Sequence, residues 1–110
     1  MARPRRATVV WTKPALDSLL DIVRYIRREN PAAAQRFGAA VKSRTSRLES
    51  FPDSGRVVPE FPTSGLREIV FGDYRIVYRH PPDTASVEIL TVRHGARLME
   101  VTVGGLSRQS

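Results

Sequence analysis

An α+β fold is predicted: an N-terminal strand and an antiparallel helical hairpin packed on a small, mainly antiparallel sheet, in the order β-α-α-β-β-β. Three observations predict it. Two successive segments carry apolar residues at helical spacing and are separated by almost nothing, only Asn30-Pro31. Two strand-like segments, 66–71 and 74–79, flank Gly72-Asp73, a two-residue connection of the kind that closes hairpins. Ser86 to His94 (SVEILTVRH) then supplies a further strand before Gly95 breaks the pattern.

Taken in order, Ala7 to Thr12 (ATVVWT) is rich in β-branched residues and reads as the first strand. Thr12 suits the N-cap of the next helix, with Pro14 in its first turn, where a missing amide hydrogen does little harm. Leu16, Leu19, Leu20, Val23 and Ile26 form its expected apolar stripe. Asp17 and Asp21 favour its positive end, and Arg24, Arg27 and Arg28 its negative end. Asn30-Pro31 starts a second helix whose buried face is expected at Ala34, Phe37, Val41 and Leu48, running to about Ser50. Arg36, Lys42, Arg44 and Arg47 lie mostly off that face. Phe51-Pro52-Asp53-Ser54-Gly55 stops the helix, and 56–64, with Pro59 and Pro62, is expected to be an irregular connection. In the hairpin, Tyr74, Ile76 and Tyr78 point to one face, and Arg75, Val77 and Arg79 to the other. In the last strand, Val87, Ile89 and Thr91 are expected on one face, and Leu90, Val92 and His94 on the other.

The 110 residues fit one domain, 1–110, with a core over about 7–97 and a tail over 98–110. No apolar run approaches the roughly eighteen residues of a membrane span, and Met1 to Arg6 lacks the apolar region and cleavage site of a secretory signal. The absence of cysteine excludes disulfides and Cys-based zinc sites, and fits a reducing cytoplasm. No P-loop, GxSxG, HExxH or carboxylate-rich metal motif occurs, so neither metal nor cofactor is expected. Formal net charge is +7, and of eighteen cations only Lys13 and Lys42 are lysine. Arginine forks suit phosphate and carboxylate, so the natural partner is a polyanion, either nucleic acid or an acidic protein segment. Codon usage or solubility would produce the same total charge, which therefore does not choose a function.

Arg75 carries the functional question. A cation in the middle of an apolar strand needs either a structural partner or a ligand. One reading has Arg75 and Arg97 converging on a sheet face to clamp a phosphate or stabilise charge on a phosphoryl group. The other pairs Arg75 with Glu68 or Glu88 inside the sheet. His94 has the chemistry of a general acid or base, or of a hydrogen-bonded structural residue. Tyr78, like Tyr74, either stacks on bases or packs in the core.

Trp11-Thr12, Tyr25-Ile26, Pro52 through Glu60, Leu66-Arg67-Glu68, Tyr74 to Tyr78 and His94-Gly95-Ala96-Arg97 together resemble the RelE/ParE toxin superfamily, closest to its ParE-like branch, over about residues 7–97. The resemblance implies a toxin of a type II toxin–antitoxin pair, a plasmid-stabilisation type of protein, silenced in a hetero-oligomer by a cognate antitoxin with an acidic, flexible C-terminal part. In RelE-like members the activity is ribosome-dependent mRNA cleavage, for which Arg75, Arg97 and His94 would be the catalytic candidates. The position where such enzymes often place a catalytic lysine falls near Glu68, and the segment after Arg97, Leu98 to Val103, has neither tyrosine nor histidine. A carboxylate there would repel the scissile phosphate. The resemblance therefore leans to the non-enzymatic ParE-like branch and to DNA gyrase as target, with Arg67, Arg75, Tyr78, Arg79, Arg93 and Arg97 as the side chains expected to meet target or antitoxin. Two alternatives stand beside it: the mRNA endonuclease, and an inert basic interaction module.

Overall fold

The computed structural model describes residues 6–95; Arg97 and the tail lie outside them. The chain runs β1 (Thr8–Trp11), α1 (Lys13–Glu29), α2 (Pro31–Ser46), a 3-10 turn (Arg47–Glu49), β2 (Arg56–Val57), β3 (Leu66–Phe71), β4 (Tyr74–Arg79) and β5 (Ser86–His94). Both helix starts work as the sequence implies. Thr12 Oγ1 accepts from the amide of Ala15 at 3.3 Å and donates to the carbonyl of Ile89 at 2.8 Å, which ties the cap to β5. Asn30 Oδ1 accepts from the amide of Ala33, while its own amide bonds Ile26, so one residue ends α1 and begins α2. Arg27 and Arg28 occupy the last turn of α1.

The sheet has five strands in the order β1-β5-β4-β3-β2. β1 joins β5 in parallel, and every other pairing is antiparallel. A parallel edge pair needs a crossover, which the helical hairpin supplies. Gly72 has φ +56° and Phe71 pairs with Tyr74, so the hairpin turns on the glycine as its sequence requires.

The main core lies between helices and sheet. Tyr78, Ile76, Leu48, Ile89 and Val87 are fully buried there, with Phe37 and Val41 from α2. Phe37 stacks on Phe71 at 5.6 Å and meets Tyr74 edge-on at 4.8 Å, filling the hairpin end with aromatic rings. The opposite sheet face carries a second, smaller cluster: Val58, Leu66 and Val77, with Phe61 and Leu90 against it.

Three expectations need correction. The core-facing stripe of α1 is Ala15, Leu19, Ile22, Val23 and Ile26, whereas Leu16 and Leu20 stay 45% and 47% exposed. Ala15 is the fully buried member of this stripe. The connection 56–64 is not wholly irregular: Arg56 and Val57 pair with Glu68 and Arg67 as a short edge strand. Finally, β5 does not alternate throughout. The register between β4 and β5 slips at Val77/Tyr78, which places Ile89 opposite Tyr78 but Thr91 opposite Val77, leaving Leu90 as the extra residue of a bulge. The slip puts Val87, Ile89, Val92 and His94 on the helix side.

Candidate functional site

The face of the sheet away from the helices is where Arg75 points. Its Nη1 donates to Glu60 Oε1 at 3.0 Å and to Glu68 Oε1 at 3.1 Å. Glu68, whose side chain is wholly buried, also takes Nε and Nη2 of Arg56 at 2.7 and 2.6 Å. Four residues from three segments thus form one chain of alternating charge: Arg56, Glu68, Arg75, Glu60. Two features of the fold assemble it. Arg56 stands opposite Glu68 across β2–β3. The connection after β2 folds beneath the sheet through Val58 and Phe61, which carries Glu60 to Arg75. Its effect on protonation is mutual. The hydrogen bond from Arg75 holds the Glu60 carboxyl below its usual range, and the same bond, with the charge of Glu68, raises the guanidinium.

Of the two readings of Arg75, the structure contains the internal pair with Glu68; Glu88 instead pairs with Arg79 at 2.6 Å. The Arg75 side chain is 14% exposed. His94 does not join it. His94 stands opposite Tyr74 across β4–β5 with the rings 5.4 Å apart, on the helix side, so it faces away from Arg75. Tyr78, named among the side chains expected to meet target or antitoxin, is fully buried and lies in the core. Its hydroxyl accepts from the Gly55 amide at 2.8 Å, and burial raises its pKa. Arg67 Nη1 donates to the Gly55 carbonyl at 2.8 Å and lies near Asp53. Arg93 stands opposite Arg75 across the ladder.

Two further features escaped the sequence reading. His80 bridges Asp53 Oδ1 at 2.8 Å and the Thr84 carbonyl at 2.9 Å, which raises its pKa chiefly through Asp53. A cavity of about 370 Å³ opens at the β3 edge between Arg44, Arg47, Ser54, Arg56, Glu68 and Val70. Arg44 rests over the Phe71 ring at 5.3 Å. Helical spacing had shown Arg44 and Arg47 off the buried face; only the tertiary fold brings Arg56 beside them. Among the described residues no group of acidic or histidine side chains could hold a metal, and no helix is long and apolar enough to cross a membrane.

A helical hairpin on this sheet is the architecture of RelE/ParE-type toxins. The fold matches a chain of the chromosomal ParDE toxin–antitoxin system from P. aeruginosa with TM-score 0.68 and 16% identity, covering 82% of this chain and 97% of that one. It also matches a chain of the toxin–antitoxin complex RelBE2 from Mycobacterium tuberculosis, with TM-score 0.56 and 24% identity over 81% and 98%. In sequence, Toxin RelE2 of Caulobacter vibrioides is 37% identical over 92 residues, 84% of this chain and 99% of the relative. Putative toxin Y4kP of Sinorhizobium fredii is 38% identical over 91 residues, 81% and 88% respectively. Residues 9–99 match the model of the ParE toxin of the type II toxin–antitoxin system parDE, and the chain belongs to that family.

Proposed function

We propose that this chain arrests bacterial growth in the cytoplasm by binding a macromolecular target, with DNA gyrase the favoured one, and that a cognate antitoxin with an acidic segment silences it. The observation that carries the non-enzymatic reading is the closed network around Arg75. A phosphoryl-transfer site needs cations free to meet developing charge, whereas Arg75 is held by two carboxylates and His94 faces the opposite side of the sheet. Family membership supports the toxin role. The +7 charge supports a partner with an acidic segment, since complementary charge speeds encounter and fixes register.

The test is gyrase supercoiling and cleavage-complex formation with purified protein. Inhibition or trapped cleavage complexes are expected, and no effect at stoichiometric excess refutes the gyrase assignment. Primer extension on translated mRNA runs in parallel. Cuts in the ribosomal A site that vanish on Arg75→Ala would replace this reading with the endonuclease, and unimpaired growth on expression without antitoxin would replace it with an inert module.

A further inference from the structure

His80 stands just past the end of β4 and reaches two separate turns. Its Nδ1 lies 2.8 Å from Asp53 Oδ1, in the turn before β2, and its Nε2 lies 2.9 Å from the Thr84 carbonyl, in the turn before β5. An ionised carboxylate and a carbonyl accept hydrogen bonds but cannot donate them. A neutral imidazole carries one N–H and serves one of the two; its other nitrogen then sets a lone pair against an oxygen at hydrogen-bond distance. Only the imidazolium, with a proton on each nitrogen, makes both bonds. The side chain is 17% exposed, so water meets little of the ring.

The two bonds differ in how easily they break. The Thr84 carbonyl belongs to the backbone of a turn that the Thr84 hydroxyl ties to the Pro81 carbonyl at 2.8 Å. Asp53 is a side chain, 63% exposed, and its Oδ1 already lies 3.8 Å from Arg67 Nε. Arg67 is fixed independently, because its Nη1 donates to the Gly55 carbonyl and the Gly55 amide is held by Tyr78. A carboxylate repelled by the ring therefore finds a second cation within a side-chain rotation. The charged groups around the ring are Asp53, Arg67 from β3 and Arg79 from β4, which line one cavity of about 660 Å³; Arg79 is engaged by Glu88 of β5. Asp53 and then the Thr84 carbonyl favour the imidazolium, and they outweigh burial and the charge of Arg67.

We propose that His80 is a proton-operated latch: its imidazolium clasps Asp53, and loss of the Nδ1 proton passes that carboxylate to Arg67 while the Nε2–H bond to Thr84 stays. Closed, the latch joins the turn at Asp53 to the turn at Thr84. Open, it leaves His80 with Thr84 alone and pairs Asp53 with Arg67. The folded-state pKa of His80 lies above the ordinary value of about 6.5. The latch is therefore closed at and below that value and opens as pH rises through the higher folded one. Its consequence is a change of partner for Arg67, whose Nη1 keeps the Gly55 carbonyl in both states while its Nε side is open to a visitor only when the latch is closed. The latch shares no residue with the network around Arg75, and its operation is independent of what the chain binds.

The test is a pH titration of the full, isotope-labelled chain by NMR, following the ring nitrogens of His80 and the Nε–H of Arg67. Below about pH 6.5 both ring nitrogens should carry protons. Above the transition only Nε2 should keep one, and the Arg67 Nε–H signal should shift with the same midpoint. His80→Gln separates these signals from those of His94, the other histidine of the chain, and should remove the step at Arg67. Asp53→Asn, a change at an exposed side chain, should move the His80 midpoint down towards that of free histidine, with the dispersion of the spectrum as the check on folding. If either variant fails to fold, the titration of the parent chain decides alone. Four results would each overturn the inference: one protonated ring nitrogen below the transition, Nδ1 rather than Nε2 protonated above it, an Arg67 signal without a step at that midpoint, or an unmoved midpoint in folded Asp53→Asn. None of these readouts depends on growth arrest, so the proposed function and the latch stand or fall separately.

Discussion

Replacing Arg75 with methionine removes one guanidinium from the buried network while roughly keeping its volume. The Glu68 carboxylate, with no exposed side-chain area, would then be held by Arg56 alone. Stripping a buried charge of its only partner costs about 3–5 kcal/mol. Arg56 keeps its two short bonds to Glu68, at 2.7 and 2.6 Å, but its side chain is 57% exposed and its attraction is screened. The loss should therefore sit below that range, at about 2–3 kcal/mol, the scale of one charge-assisted hydrogen bond. For a domain of this size Tm falls by about 10 °C or more. Urea unfolding measures the difference directly, with m unchanged if the native state keeps its compactness. A double-mutant cycle with Glu68→Gln isolates the pair: coupling of about 1–2 kcal/mol is expected, because the second change removes the charge that the first left uncompensated. A loss under about 0.5 kcal/mol, or strict additivity, would refute the claim that Arg75 is a structural cation. At a temperature where the variant is folded, growth arrest should persist; if it disappears while the fold remains, Arg75 meets a target and the functional argument built on its internal pairing fails.

The remaining predictions concern what fixes the loops and the helix start. A Cβ on Gly55 would lie 2.7 Å from the Tyr78 hydroxyl and 2.8 Å from the Glu68 carbonyl, so Gly55→Ala should cost about 1–3 kcal/mol by overpacking, read by chemical denaturation. Tyr78→Phe leaves the buried Gly55 amide without its acceptor and should cost about 1–3 kcal/mol; a neutral result would show that water satisfies that amide. His80 has a raised pKa in the folded state, so its contribution is complete below its unfolded value of about 6.5 and is lost as pH rises through the higher folded value. Urea stability should therefore fall across neutral pH in the parent chain, and His80→Gln should flatten that slope. Thr12→Ala removes both the cap of α1 and its bond to Ile89, and should lower stability by about 1 kcal/mol or somewhat more.

Much of the architecture was legible because it follows from local rules. Thr12 and Asn30 are cap residues wherever a helix follows them, and Gly72 accepts a positive φ that the two-residue turn demands. Period-two alternation placed Tyr74, Ile76 and Tyr78 together, and their face proved to be the helix-packed core. The same rule failed along β5, because a bulge at Leu90 shifts the count by one and has no local signature. It also overstated Leu16 and Leu20, since helical spacing shows which residues share a stripe but not where the sheet beneath that stripe ends.

The candidate site divides in the same way. The odd position of Arg75 was visible in the pattern, and Glu68 stood among its possible partners. Glu60 did not, because it lies fifteen residues away in a segment without periodicity, and only the packing of Val58 and Phe61 under the sheet brings it to 3.0 Å. The grouping of Arg44 and Arg47 with Arg56 was equally hidden.

By itself the sequence determined the helices, the hairpin, the basic balance and the family pattern, because propensity, periodicity and capping act over a few neighbouring residues. The tertiary structure alone decided which charges satisfy one another and which face outward. Coulomb attraction and desolvation depend on distances and burial between segments far apart along the chain, and these are set only when the sheet register and the packing of its connections are complete.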